Sequence, residues 1–190
     1  RVEDLDVVVQ RIIDEHRAGI AAGTAPEDLI TWMMRARDDE STAYGSAMSD
    51  EQLRDEVMTL VLAGHETTAM ALSWTWWLLS CHPAADAWLQ QELGEVLADG
   101  RDPGFADLAA LHRTRAVVAE SIRLYPPAWI MGRRLLGDVT LGGWQMPSGS
   151  IVLASPWILH RDPASWDRAT SFVPERWLDG DGRFDESAPG

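Results

Sequence analysis

Residues 49–83 read SDEQLRDEVMTLVLAGHETTAMALSWTWWLLSCHP, and this run decides the fold. Ser49-Asp-Glu-Gln52 has the form of a capping box, in which a serine and a glutamine three residues on satisfy each other's backbone N–H groups. No breaker follows before His82-Pro83, so the spacing predicts one long helix. At 1.5 Å per residue it spans roughly 48 Å, enough to cross a whole domain. Val57–Leu79 is apolar enough to raise the question of a bilayer span. His65, Glu66, Thr67 and Thr68 stand near its middle, however, and four polar groups there point instead to a helix buried in a protein core. Gly64 costs the helix about 1 kcal/mol relative to alanine. Thr67 and Thr68 can bond carbonyls one turn back and open the ladder. Such a concentration of local violations marks either a kinked helix with a satisfied polar patch or a functional site.

Working outward, Leu5, Val8, Val9, Ile12 and Ile13 recur at helical spacing, with Gly19 expected to end that helix. Thr24-Ala-Pro-Glu27 reads as a second capping box with proline in the first turn, opening a helix to about Arg37. Asp38–Met48 breaks the pattern and is expected as a loop. Pro83 starts a helix ending near Gly100, followed by a short turn at Phe105–Leu111. A further helix over Thr114–Tyr125 is stopped by Pro126-Pro127. The period then changes. Ile130–Leu136, Val139–Leu141, Trp144–Met146 and Ile151–Ala154 read as short strands, with Gly142-Gly143 as a hairpin turn. Pro156–Arg161 reads as a single helical turn. The expected fold class is mainly α with a small β-sheet: one partial domain over 1–190, helical to about 125, then sheet and irregular chain over about 126–190.

At 190 residues, 46% of them apolar and 24% charged, the chain has the composition of a packed domain. Lys and Arg total 16 against 30 Asp and Glu, a net charge of −14. That balance argues against nucleic acid and against an anionic membrane surface. Cys81 is the single cysteine, which excludes an internal disulfide or a cysteine-based zinc cluster, and it is expected as a buried, inert thiol. His16, His65, His82, His112 and His160 show no metal spacing. Trp74, Trp76 and Trp77 are expected to pack in the core. Arg1 is not an initiator methionine and Asp179–Gly190 is a polar, turn-rich tail. The chain therefore reads as a segment of something longer, which leaves room for a membrane anchor ahead of it.

Two further motifs carry chemistry. Glu120-Ser-Ile-Arg123 precedes Leu124-Tyr-Pro-Pro127, and its i, i+3 spacing lets Glu120 and Arg123 pair on one helix face. Phe172-Val-Pro-Glu-Arg-Trp177 sets a charged pair in an aromatic-proline frame, from which Arg176 could reach the Glu120 carboxylate and use its remaining lone pairs.

Together with Ala63-Gly64-His65-Glu66-Thr67-Thr68 and His160-Arg-Asp-Pro163, these motifs resemble the cytochrome P-450 family of haem-thiolate monooxygenases, over nearly the whole chain. Soluble bacterial members are the most similar. The resemblance implies haem b (iron protoporphyrin IX) as cofactor. It implies an oxygen-binding groove at Ala63 and Gly64, and proton handling by Glu66 and Thr67. It implies a structural triad of Glu120, Arg123 and Arg176, a haem propionate contact from Arg133, and a substrate-facing turn at Ala128, Trp129, Ile130 and Met131. The implied partners are a small apolar substrate, O2, and an electron donor, either a ferredoxin and reductase or a fused reductase domain. A cytoplasmic location is expected.

One departure matters. The family's cysteine-ligand loop should follow the Pro-Glu-Arg-Trp motif, so the ligand is expected beyond Gly190 and no metal ligand is expected within this chain. The segment alone should then be inactive. Two rival readings stay open: a non-catalytic fragment or gene remnant, and a relative that isomerises or dehydrates a peroxide. The pair Glu66-Thr67 weighs against the latter. Arg113 and Arg115 read as a solvated face or, through the resemblance, as part of a donor-docking surface.

Overall fold

The computed structural model describes residues 2–36, 49–98 and 100–187. The expected loop Asp38–Met48 lies outside them. The chain divides into two compact units, Arg1–Glu66 and Thr67–Gly190.

In the first unit, α1 (Val2–Ala22) runs past Gly19. It stops where Gly23 turns to a φ of +70°, with Thr24 N–H donating to the Gly19 carbonyl at 2.8 Å and Gly23 N–H to that of Ile20 at 3.2 Å. This pair of bonds is the Schellman termination, and it needs a left-handed residue that glycine adopts without a Cβ penalty. Gly19 serves a different end: a Cβ there would lie 3.1 Å from the Ala25 Cα, so it lets the chain fold back closely. The helix α2 (Leu29–Ala36) starts later than the expected cap at Thr24. Asp28 takes that role instead, its carboxylate accepting the Thr31 N–H at 2.9 Å. Glu27, read as the far half of the box, pairs with Arg35 at 2.7 Å.

The long helix, α3 (Asp50–Cys81), is 32 residues without a break. Its capping box forms as read, with Ser49 N–H donating to Gln52 Oε1 at 2.9 Å and Gln52 N–H to Ser49 Oγ at 3.1 Å. Leu53 and Val57 on its first turns pack with Val9, Ile13 and Met34 into the core of the first unit.

The second unit takes the rest of α3, then α4 (Pro83–Val96), a 3-10 turn at Phe105–Ala109 and α5 (His112–Leu124). Leu79, Ala85, Leu89 and Val117 form its apolar core, with Trp88, Leu93 and Phe172 packed against them. The strands are β1 (Met131–Arg134), β2 (Val139–Leu141), β3 (Trp144–Met146) and β4 (Ile151–Ala154). They make two antiparallel pairs where one small sheet was expected: β1 with β4, and β2 with β3 nested between them in sequence. Gly142 and Gly143 have φ of +57° and +85°, as a type I′ hairpin turn requires. Then come α6 (Pro156–Leu159) and a 3-10 turn at Pro174–Trp177, followed by an isolated antiparallel bridge of Leu178 with Phe184.

Three packing expectations are corrected. Trp76 and Trp77 are 64% and 47% exposed, while Trp74 stacks on Tyr125 with centroids 4.1 Å apart. Cys81 is exposed at the end of α3. The middle of α3, from Leu62 to Met70, is exposed rather than buried among the described residues. No described helix is long and apolar enough to cross a membrane.

Candidate functional site

The densest polar arrangement in the second unit is built on α5. Residues 116, 117, 120, 121, 123 and 124 are the buried face of this helix, so its i, i+3 pair Glu120 and Arg123 points inward. Both are enclosed, Glu120 fully and Arg123 to within 2%. The pairing is bidentate: Arg123 Nε donates to Oε2 at 2.8 Å and Nη2 to Oε1 at 2.9 Å. Arg176, on the 3-10 turn, donates from Nε to Oε1 at 3.2 Å. The structure thus brings Glu120, Arg123 and Arg176 to one carboxylate.

Two donors to that carboxylate had no sequence signal of their own. The Val173 N–H reaches Oε1 and the Trp177 indole reaches Oε2, each at 2.9 Å. Burial alone would push the Glu120 carboxyl up. The Arg123, Val173 and Trp177 donors outweigh it and hold the group below its ordinary value. Arg123 spends its remaining hydrogens on carbonyls: Nη1 on those of His160 and Ala169, Nη2 on that of Ser171 at 3.1 Å. The guanidinium also lies over the Trp166 ring, 5.0 Å from its centroid. One ion pair thereby ties α5 to three points of the irregular chain between α6 and the last 3-10 turn. Arg168 in that chain holds a φ of +45°, and its carbonyl accepts the Ser171 N–H at 2.9 Å.

A second buried carboxylate escaped sequence reasoning. Glu92 on α4 is 5% exposed. It accepts the N–H groups of Arg113 at 2.6 Å and Thr114 at 2.9 Å, and the Thr114 hydroxyl at 2.8 Å. These are orphan donors of the first turn of α5, whose own cap residue, Leu111, has no side-chain acceptor. No local spacing could announce a cap borrowed from 21 residues away. Arg113, read as solvated, instead donates to the Trp88 carbonyl at 3.0 Å and covers that ring. Arg115 is exposed; it pairs with Glu186 and lies over Phe184.

The remaining candidates lie elsewhere. Ala63, Gly64 and Glu66 are exposed on α3 in the first unit, and nothing lies within 4 Å of the point where a Cβ on Gly64 would sit. Thr67, the next residue of α3, is exposed in the second unit. Ala128, Trp129 and Ile130 lead, exposed, into β1, whose first residue Met131 is exposed too. Arg133 follows on β1, exposed, with Nη1 on the Gly132 carbonyl at 2.9 Å. It pairs across the ribbon with Val152, and the pleat puts Met131 and Ala154 on the same side. Among the described residues no group of three or more His, Cys, Asp or Glu is placed to hold a metal ion.

The chain is 45% identical over 174 residues to cyclooctatin synthase of Streptomyces melanosporofaciens, covering 92% of this chain and 37% of that protein. It is 38% identical over 170 residues to pentalenene oxygenase of Streptomyces avermitilis, covering 90% and 36%. It is 36% identical over 179 residues to cyclooctat-9-en-7-ol 5-monooxygenase of Streptomyces melanosporofaciens, covering 94% and 38%. The chain therefore spans under two-fifths of the length of these relatives. The cytochrome P-450 sequence profile matches residues 1–189, and with that match the chain belongs to the cytochrome P-450 family.

Proposed function

We propose that the complete protein is a bacterial haem-dependent monooxygenase that inserts one atom of O2 into a C–H bond or double bond of a small apolar substrate. The observation that carries this reading is the cytochrome P-450 match over residues 1–189, within which α3 carries Ala63, Gly64, Glu66 and Thr67 in the order the resemblance requires. The family's cofactor is haem, and the residues present fit its outer parts. Within the second unit Arg133 offers an exposed cation, beside Met131 on its strand face, to a propionate. Cys81, exposed at the end of α3, is not assigned as the residue that would hold the haem iron, and this stretch of chain alone is read as inactive.

When bound, haem supplies the activation of O2, with electrons from a ferredoxin, a reductase or a fused reductase domain. This chain's own residues then divide the remaining work. Thr67 Oγ1 holds the proton that the reaction consumes, and a Glu66 carboxylate oxygen passes protons to it from water. Trp129, Ile130 and Met131 bury the apolar substrate and keep bulk water from it. Glu120, Arg123 and Arg176 fix the framework on which the cofactor rests. The names pentalenene oxygenase and cyclooctat-9-en-7-ol 5-monooxygenase support a hydrocarbon, or an alcohol of one, as the substrate class. The cytoplasm is the compartment this reading assigns.

The test is to supply the complete, haem-loaded protein with electrons, isotopically labelled O2 and either pentalenene or cyclooctat-9-en-7-ol. Product carrying a single labelled oxygen is expected. A haem-loaded protein that rearranges an organic peroxide without O2 or electrons would overturn the reading in favour of an isomerase.

A further inference from the structure

Ser155 occupies the N-cap position of α6, where serine ordinarily bonds the first free N–H groups of its helix. It makes no such bond. Its hydroxyl instead donates to the Trp129 carbonyl at 2.7 Å. The two residues face each other across the open end of the β1–β4 ribbon, whose last paired rung is Met131 with Ala154. Ser155 stands one residue past that rung and Trp129 two residues before it. The bond therefore closes the ribbon one step beyond its backbone ladder and catches the Ala128–Ile130 turn. On its other side this turn is held by Pro126-Pro127, whose rings fix φ but donate no N–H.

The α6 backbone manages without the missing cap. Ile158 and Leu159 N–H both donate to the Ser155 carbonyl, at 3.1 and 3.0 Å. The hydroxyl is thus released from helix capping and committed to the turn. Trp129, Ile130 and Met131 are 58%, 38% and 45% exposed, so the packing supplied by this stretch of chain does not by itself order their side chains. A latch on the Trp129 carbonyl supplies that order through the backbone.

We propose that Ser155 is a positioning residue for the substrate, acting through the Trp129 carbonyl to hold the apolar turn in its binding geometry. The proposal rests on the reading of Ala128–Met131 as substrate-facing. It assigns to the β4–α6 junction a role in affinity and regiochemistry although Ser155 itself touches no substrate.

The experiment uses the complete haem-loaded protein and a series of N-alkylimidazoles from butyl to decyl, titrated by the change in the haem spectrum. Imidazole binding reports the metal, while the gain per methylene reports the apolar turn. A well-ordered apolar wall raises affinity about fourfold per added methylene. Three variants are compared with the parent: Ser155→Thr, which keeps the hydroxyl; Ser155→Val, its isostere without one; and Met131→Ala, which trims the wall. The extended backbone at Ser155, φ −118° and ψ 104°, suits either β-branched residue. The expected result is a gain near the parental value for Ser155→Thr and about twofold per methylene for Ser155→Val. Imidazole itself should bind equally to all. If Met131→Ala flattens the series and Ser155→Val does not, the latch is overturned and the substrate-facing turn survives. If neither flattens it, the turn does not face substrate and both fall. A Ser155→Val protein that fails to load haem while Ser155→Thr loads normally would show a folding role and overturn the positioning role.

Discussion

Glu120 and Glu66 are both helical glutamates, yet their surroundings have nothing in common. Glu120 is fully enclosed and its two oxygens receive five donors, from Arg123 twice, Val173, Arg176 and Trp177. Glu66 is exposed on α3 beside Thr67. A carboxylate saturated with donors cannot exchange protons without dismantling its surroundings, so Glu120 can only be framework. A carboxylate facing open space is free to carry protons. The same residue type is held by a full set of donors on one helix and left exposed on the other, and we propose the first as framework and the second as the proton carrier.

The harshest way to break this comparison is to treat Glu120 as though it were Glu66. Removing either partner of the buried pair strands the other charge, at about 3–5 kcal/mol. Glu120→Ala or Arg123→Ala in the complete protein should yield little folded, haem-containing material. Normal haem content and an unchanged urea midpoint in Arg123→Ala would place the pair among ordinary surface ion pairs. Next in size is the converse test on α3. Thr67→Ala should leave fold and haem content near the parent while product formed per O2 consumed falls about 100-fold, with peroxide released instead. An unchanged product-to-O2 ratio would reduce Thr67 to a helix residue.

A smaller effect is expected at the other buried carboxylate. Glu92→Ala removes the acceptor for three donors at the start of α5 and should cost about 2 kcal/mol, read as a lower urea midpoint. Glu92→Gln, which keeps an acceptor oxygen, should recover part of it. The smallest expected effect is in the first unit. His16 directs Nδ1 at the Ile12 carbonyl, 2.7 Å away, and Nε2 at Asp28, 2.8 Å away. With acceptors on both sides the ring favours its doubly protonated form, and the Asp28 bond raises its pKa above the ordinary 6.5. The stabilisation is therefore complete below 6.5 and is lost as pH rises through the raised value. Unfolding of the parent compared with Asp28→Asn should show the difference shrinking as pH rises above about 6.5. A difference that grows over that range would reverse the sign and refute the pairing.

What could be read from the sequence divides along a physical line. The capping box at Ser49, the i, i+3 pair Glu120–Arg123 and the turn at Gly142-Gly143 are local, and each stands where the spacing put it. The helix ends differ from the reading where two local signals compete. Thr24 and Asp28 both had capping chemistry, and the helix took the later one. Gly19 and Gly23 could both have ended α1, but Gly19 was needed for the close approach of Ala25. The Glu92 cap, the Trp177 donor and the Ser155 latch join residues 21, 57 and 26 positions apart. No periodicity within one element encodes a partner on another, so those contacts became visible only with the fold.

The nested arrangement of the two β-ribbons has a bearing on how such a chain can change over generations. The base of the β2–β3 excursion is pinched shut by two rungs, Leu135 N–H to the Ser150 carbonyl at 2.9 Å and Gly149 N–H to that of Leu135 at 2.8 Å. Everything between those residues hangs from the outer ribbon as a peninsula on a closed neck. Residues can be inserted or deleted at its tip without shifting the register that sets Arg133 opposite Val152. The excursion is thus a place where length can drift, or a foreign loop can be grafted, while the strand bearing Arg133 keeps its register.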